Sequence, residues 1–301
     1  MYLPSFRFLA TALIATACPV VGYSQNVLFI GNSFTMGLGG TATLATPSGV
    51  GSIFEALATD ASHSANVQMV AFPGYDLQTH ATSGSPAINA IINGYGGQDW
   101  DAVVLQEYST YATDASSGGN VASFQNALST LANTISFNNP SADVVLYETW
   151  ARDAGHPIYN SGQFTGPADM QQQVNFHYGA AEAYLESSIP GLGADDVHVA
   201  NAGSTWGQFQ HSDCSDDIDL YDSDSYHGSD HGYYLSALEI FRTIYDEPTT
   251  GLTNVFDTIS TTEAHCLQKV VEANYEAVPE PSSAVLAILA GAVFATRRKR
   301  A

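Results

Sequence analysis

Five short apolar runs constrain what this chain can fold into. They cover residues 26–31, 67–72, 102–105, 143–147 and 197–200, and each is rich in valine, leucine, isoleucine, phenylalanine or alanine. Runs without strict polar alternation read as parallel strands buried on both faces. Between them lie segments with apolar residues at helical spacing: 53–61, 87–92, 121–135 and 168–187, with 232–245 after the last run. Strands that alternate with helices argue for an α/β fold. The expectation is a three-layer α/β/α sandwich with a central, mostly parallel, five-stranded sheet. Right-handed crossovers then bring the carboxyl ends of all strands to one edge, where open α/β sheets bind ligands.

Several polar residues fall at that edge. The first run, Val27-Leu28-Phe29-Ile30, ends at Gly31, and Ser33 follows two residues later. A serine hydroxyl is a weak nucleophile until a base takes its proton. The base is best a histidine steadied by a carboxylate. Asp224 and His227 stand three residues apart just before a helix, so one loop can supply both. An oxyanion needs donors as well. Ser33 offers its own N–H, Gly74 offers an unobstructed N–H after the second strand, and Gln106 offers an amide at the end of the third.

These residues resemble the blocks of the SGNH (GDSL-type) hydrolases. Gly31-Asn32-Ser33-Phe34 is similar to the first block, Gly74 to the second, and Asp224-Ser225-Tyr226-His227 to the fourth. The third block departs from the pattern, with Gln106-Glu107-Tyr108-Ser109 in its place. The resemblance covers most of residues 26–250. It implies the flavodoxin-like SGNH fold and a serine esterase with a Ser33–His227–Asp224 triad. It also implies an oxyanion hole from Ser33, Gly74 and Gln106, with no metal or organic cofactor. An acyltransferase using the same triad, and a glycan-binding protein that keeps the fold without turnover, are the alternatives.

Both ends look like processing segments. Residues 1–24 carry Arg7 and then an apolar stretch, as a secretory signal peptide does. Residues 278–301 hold Pro279-Glu280-Pro281, a short apolar run and the basic end Arg297-Arg298-Lys299-Arg300. This tail resembles a PEP-CTERM sorting signal with a short transmembrane segment. That resemblance implies an exosortase as partner and an exported protein of the envelope or extracellular matrix. PEP-CTERM proteins are associated with exopolysaccharide, so the expected substrate is an ester or acylated glycan, such as an O-acetylated polysaccharide. Residues 25–250 are the expected hydrolase domain, and 251–277 an extension or linker.

The charge is lopsided, with 8 lysines and arginines against 30 acids and a net charge of −22. Outside the two ends only Arg152, Arg242 and Lys269 are basic. Such a surface repels nucleic acid and anionic lipid, so membrane contact is expected only through the terminal segments. Cys214 and Cys266 can pair in an oxidising compartment or remain as two thiols. The acidic run 213–224 lacks the spacing of an EF-hand loop and reads as a solvated loop. His231, four residues after His227, would suit a zinc pair, but no third ligand has the matching spacing.

Overall fold

A computed structural model describes residues 24–37, 49–253 and 258–277. The expected signal segment up to residue 23 and the tail from residue 278 lie outside these residues. Ser24, the expected last residue of the leader, opens the first strand.

Five strands form one sheet: β1 (Ser24–Gly31), β2 (Ser64–Ala71), β3 (Ala102–Leu105), β4 (Asp143–Tyr147) and β5 (Val197–Ala200). All neighbours pair parallel, in the order β2-β1-β3-β4-β5. The chain moves outward from β1 to β2, then returns to the other side of β1 for β3. That reversal leaves a crevice at the carboxyl end of β1, the usual ligand position in this strand order.

The strand residues divide between two cores. Val27, Phe29, Ala102, Val104, Val145 and Tyr147 face one layer. Leu28, Ile30, Val103, Leu105, Val144 and Leu146 face the other. Burial on both faces explains why these runs read as continuous apolar stretches. The first layer holds α2 (Val50–Asp60), α7 (Ala202–Phe209), α8 (Asp230–Tyr245) and α9 (Thr261–Ala277). The second holds α3 (Leu77–His80), α4 (Pro86–Asn93), α5 (Val121–Asn138) and α6 (Pro167–Ser188). A single turn, α1 (Ser33–Met36), follows β1 directly.

Residues 251–277, expected as an extension or linker, include α9 as a packed helix. Its Ala264, Leu267, Val270 and Val271 are buried in the first core. Gln268 Nε2 donates to the Leu252 carbonyl at 2.7 Å, and Asn274 Nδ2 donates to Thr205 Oγ1 at 2.6 Å. Cys266 on α9 is bonded to Cys214 in the acidic loop, with 6.5 Å between their Cα atoms. Among the described residues no helix is long and apolar enough to cross a membrane.

The disulfide closes a loop of 52 residues, and a bridge of that span stabilises by about 2–4 kcal/mol. Cys266→Ser should lower the Tm of the oxidised protein by roughly 5–15 °C. Reduction of the parent protein should lower it to the same extent, as measured by differential scanning calorimetry. Equal Tm values for oxidised and reduced parent would show that the bridge contributes nothing.

Candidate active site

The site begins where β1 stops. Asn32 caps α1, its Oδ1 accepting from the Phe34 N–H at 3.1 Å. This turn puts Ser33 at the first position of α1, half-buried at the sheet edge. Three neighbours hold the turn. Asn32 Nδ2 donates to the Tyr75 carbonyl at 2.8 Å, in the loop that follows β2. His80 of α3 bonds the Gly31 carbonyl through Nε2 at 2.8 Å, and burial pulls the pKa of this imidazole down. At the end of β3, Gln106 Oε1 accepts from the Asn32 N–H and from Thr35 Oγ1, both at 2.9 Å.

The second half of the site lies on the loop before α8. Asp224 Oδ1 accepts from the N–H groups of Tyr226 and His227, at 2.9 and 2.8 Å. Ser225 has a φ of +58°, which tightens the turn. Asp224 Oδ2 then bonds His227 Nδ1 at 2.6 Å, and His227 Nε2 reaches Ser33 Oγ at 2.9 Å. Ser33, His227 and Asp224 thus form one hydrogen-bonded row across 194 residues of chain. Burial alone pushes the Asp224 carboxyl up. Its hydrogen bonds from the His227 ring and from the two N–H groups outweigh that and hold the pKa below the usual carboxylate value.

Gly74 sits in the turn after β2 with φ +73°, and a Cβ there would meet nothing within 4 Å. Its backbone therefore borders open space beside the Asn32 turn, to which it is joined through Tyr75. The expected oxyanion role of Gln106 meets a different geometry. The Asn32 N–H is a donor, so it fixes which end of the amide faces the Asn32 turn, and that end is the oxygen. Gln106 Nε2 donates to the Glu107 carbonyl. The residue is fully buried and holds the nucleophile turn. His231 faces Glu263 of α9, with 3.6 Å between Nε2 and Oε1, and not His227.

From the sequence Glu107 reads as a solvated or capping carboxylate, with a supporting acceptor as the alternative; in the structure it is buried. Glu107 Oε1 accepts from the N–H groups of Leu77 and Tyr108, at 3.1 and 2.5 Å, and so ties the loop after β2 to the end of β3. Burial raises its pKa to about 7 against the pull of these bonds. Phe34 stacks on Trp150 with ring centroids 4.4 Å apart, and Trp150 stacks on Trp206 at 4.0 Å. Arg152 lies over the Tyr226 ring at 3.7 Å. A cavity of about 320 Å³ lies beside this segment, walled by Ala151, Arg152, Gln171, Trp206 and Tyr221; Ser33, Asp224 and His227 do not line it.

No protein-family model matches the chain, and no curated protein matches it. Solved structures do. A DUF4886 family protein from Bacteroides uniformis aligns with a TM-score of 0.63 at 16% identity, over 86% of this chain and 99% of that one. A protein from Slackia heliotrinireducens assigned as an SGNH hydrolase aligns with a TM-score of 0.53 at 20% identity, over 73% of this chain and 99% of that one. At these identities the likeness establishes the fold, which is the α/β fold of the SGNH hydrolases.

Two predictions follow from these contacts. Gln106→Leu would strand the Asn32 N–H and the Thr35 hydroxyl in a buried place, at about 1–3 kcal/mol for each lost partner. It should lower the urea midpoint clearly, whereas Gln106→Glu, which keeps an acceptor, should lower it less. Equal midpoints for parent and Gln106→Leu would remove Gln106 from this support role.

The second concerns pH. Burial raises Glu107 and Glu239 to about 7 and Glu148 to about 8, from an ordinary value of 4.5. Between those limits the folded state keeps protons that the unfolded chain has released. These groups therefore leave stability intact below the ordinary value and reduce it as pH rises toward 8. Thermal unfolding should give a Tm several degrees higher at about pH 5.5 than at about pH 8.5. A Tm that climbs over that interval would contradict the buried-carboxyl account.

Proposed function

We propose that the protein is a serine esterase of SGNH type. The observation that carries this reading is the Ser33–His227–Asp224 row, set at the carboxyl end of β1 in a fold shared with SGNH hydrolases. A nucleophile, a base and an orienting carboxylate within hydrogen-bonding reach are the parts that acyl transfer requires.

In the proposed reaction Ser33 Oγ attacks the ester carbonyl while His227 Nε2 takes its proton. Asp224 fixes the Nδ1–H tautomer and stabilises the imidazolium that forms. The N–H groups of Ser33 and Gly74 receive the oxyanion. Gln106 serves them indirectly, by holding Asn32 and Thr35. The His227 proton then passes to the leaving alkoxide, which departs as alcohol and leaves an acyl-Ser33 ester. Water, deprotonated by His227, attacks that ester and frees the acid and Ser33. A sugar hydroxyl in place of that water would make the same site an acyltransferase.

The proposed substrate is an acylated glycan, with O-acetyl as the acyl group. Its support is the PEP-CTERM-like tail at 278–301, which with the leader at 1–24 also supports export, exosortase processing and an envelope or matrix location. No cofactor enters this mechanism.

The test is labelling of the purified protein with a fluorophosphonate, followed by peptide mass spectrometry and assay on p-nitrophenyl acetate. Label is expected on Ser33. Ser33→Ala and His227→Ala should each lose about 10³-fold or more in kcat. A folded parent protein with no label on Ser33 and no turnover would sink the esterase reading in favour of a glycan-binding protein.

A further inference from the structure

The segment after β4, Trp150-Ala151-Arg152-Asp153, grips the loop that carries Asp224 and His227. Trp150 Nε1 donates to the Tyr226 carbonyl at 3.1 Å. The Asp153 N–H donates to the Ser225 carbonyl at 3.1 Å, and Ser225 Oγ donates to Asp153 Oδ2 at 3.2 Å. Tyr221 OH donates to the Ala151 carbonyl at 3.0 Å. Arg152 adds its guanidinium, 3.7 Å from the Tyr226 ring centroid and 5.4 Å from that of Phe34. Its Nη2 donates to Ser109 Oγ at 2.7 Å.

Arg152 is the unusual member of this group. It is 4% exposed, and among the described residues no carboxylate pairs with it. Its Nη1 has no hydrogen-bond partner. Burial draws its pKa down to about 10, so it remains a cation at neutral pH. An unpaired buried charge is costly, and an apolar side chain of similar volume would fill the same space without that cost. What a guanidinium alone supplies is a flat cation that stacks on an aromatic face and donates within its own plane. Tyr226 precedes His227, with the two rings 4.1 Å apart, and Phe34 follows Ser33. Arg152 therefore lies against the neighbour of the base and near the neighbour of the nucleophile.

We propose that Arg152 is the positioning residue of this site. Tied to Ser109 and stacked on Tyr226, it holds the Asp224–His227 turn at hydrogen-bonding distance from Ser33. The proposal rests on the esterase reading above. Asp224 and His227 share one turn, so a shift of that turn keeps their mutual bond and loosens the one to Ser33. The loss then falls on the chemical step and not on substrate binding, because small misplacements of a reacting group cost rate steeply.

The experiment compares parent, Arg152→Lys and Arg152→Ala as full chains, on p-nitrophenyl acetate and in the rate of Ser33 labelling by a fluorophosphonate. Lysine keeps the charge and loses the plane, so kcat should fall about tenfold with KM changed by less than about twofold. Alanine should cost about a hundredfold. The labelling rate should fall in step with kcat in both. Millimolar guanidinium chloride should restore Arg152→Ala several-fold, while urea at equal concentration should not. Parental kcat in either variant overturns the proposal. So does a raised KM at unchanged kcat, which would make Arg152 a substrate contact instead. Should Arg152→Ala fail to fold, the kcat and KM of Arg152→Lys decide. Failure of the esterase reading looks different, because the parent protein itself would then show no label and no turnover, and the positioning proposal would fall with it.

Discussion

The turn at Asn32 is the constraint on which the rest of the site depends. A parallel strand that ends at the sheet edge leaves backbone donors and acceptors without sheet partners, and burial makes each of them expensive to leave open. Here the Asn32 N–H goes to Gln106 and the Asn32 amide to Tyr75, and His80 adds a second bond to the Gly31 carbonyl, which also accepts from the Phe72 N–H. Gln106 comes from the end of β3, and Tyr75 and His80 come from the loop and short helix that follow β2. The sheet order β2-β1-β3 is what puts them in reach. Ser33 inherits its position from this arrangement, since it is the next residue along.

The other half of the site is held from β4. The loop from Tyr221 to His227 has little regular structure of its own, and besides its internal bonds several of its hydrogen bonds run to the segment 150–153. Aromatic packing backs that attachment, through the Phe34–Trp150–Trp206 stack beneath the edge. The segments after β2 and β3 thus hold the Asn32 turn beside Ser33, and the segment after β4 holds the loop that carries Asp224 and His227. The first core anchors the far side of the loop through α8, whose N-cap Ser229 lies two residues after His227.

Much of the fold was legible in the residues. The runs 102–105, 143–147 and 197–200 coincide with β3, β4 and β5, and the central helices differ from their expected spans by a few residues at most. Four helices were missed: the single turns α1 and α3, and the longer α7 and α9. In α7, glycines and polar residues dilute the apolar spacing. In α9, Ala264, Leu267 and Val271 do have helical spacing, but the buried face also includes the polar Gln268 and Asn274, whose partners are distant in the chain, and this weakens the apolar stripe. Whether Cys214 and Cys266 pair was open in the sequence; the bridge between them ties the acidic loop 213–224 to α9.

The sequence by itself determined the α/β class and the polar strand ends, and it pointed to Ser33, Asp224 and His227 as candidates, because these depend on local spacing and on side-chain chemistry. Tertiary structure decided what the remaining polar residues do. From the sequence, Gln106 at a strand end reads as an oxyanion donor or as a plain polar strand end. Only the Asn32 N–H opposite its oxygen settles which end of the amide faces the nucleophile turn. Arg152 reads as an ordinary surface cation in so acidic a chain. Its burial against Tyr226 exists only once β4 and the loop before α8 are brought together. In both cases the deciding partner is distant in sequence, and hydrogen-bond direction and desolvation are properties of that pairing.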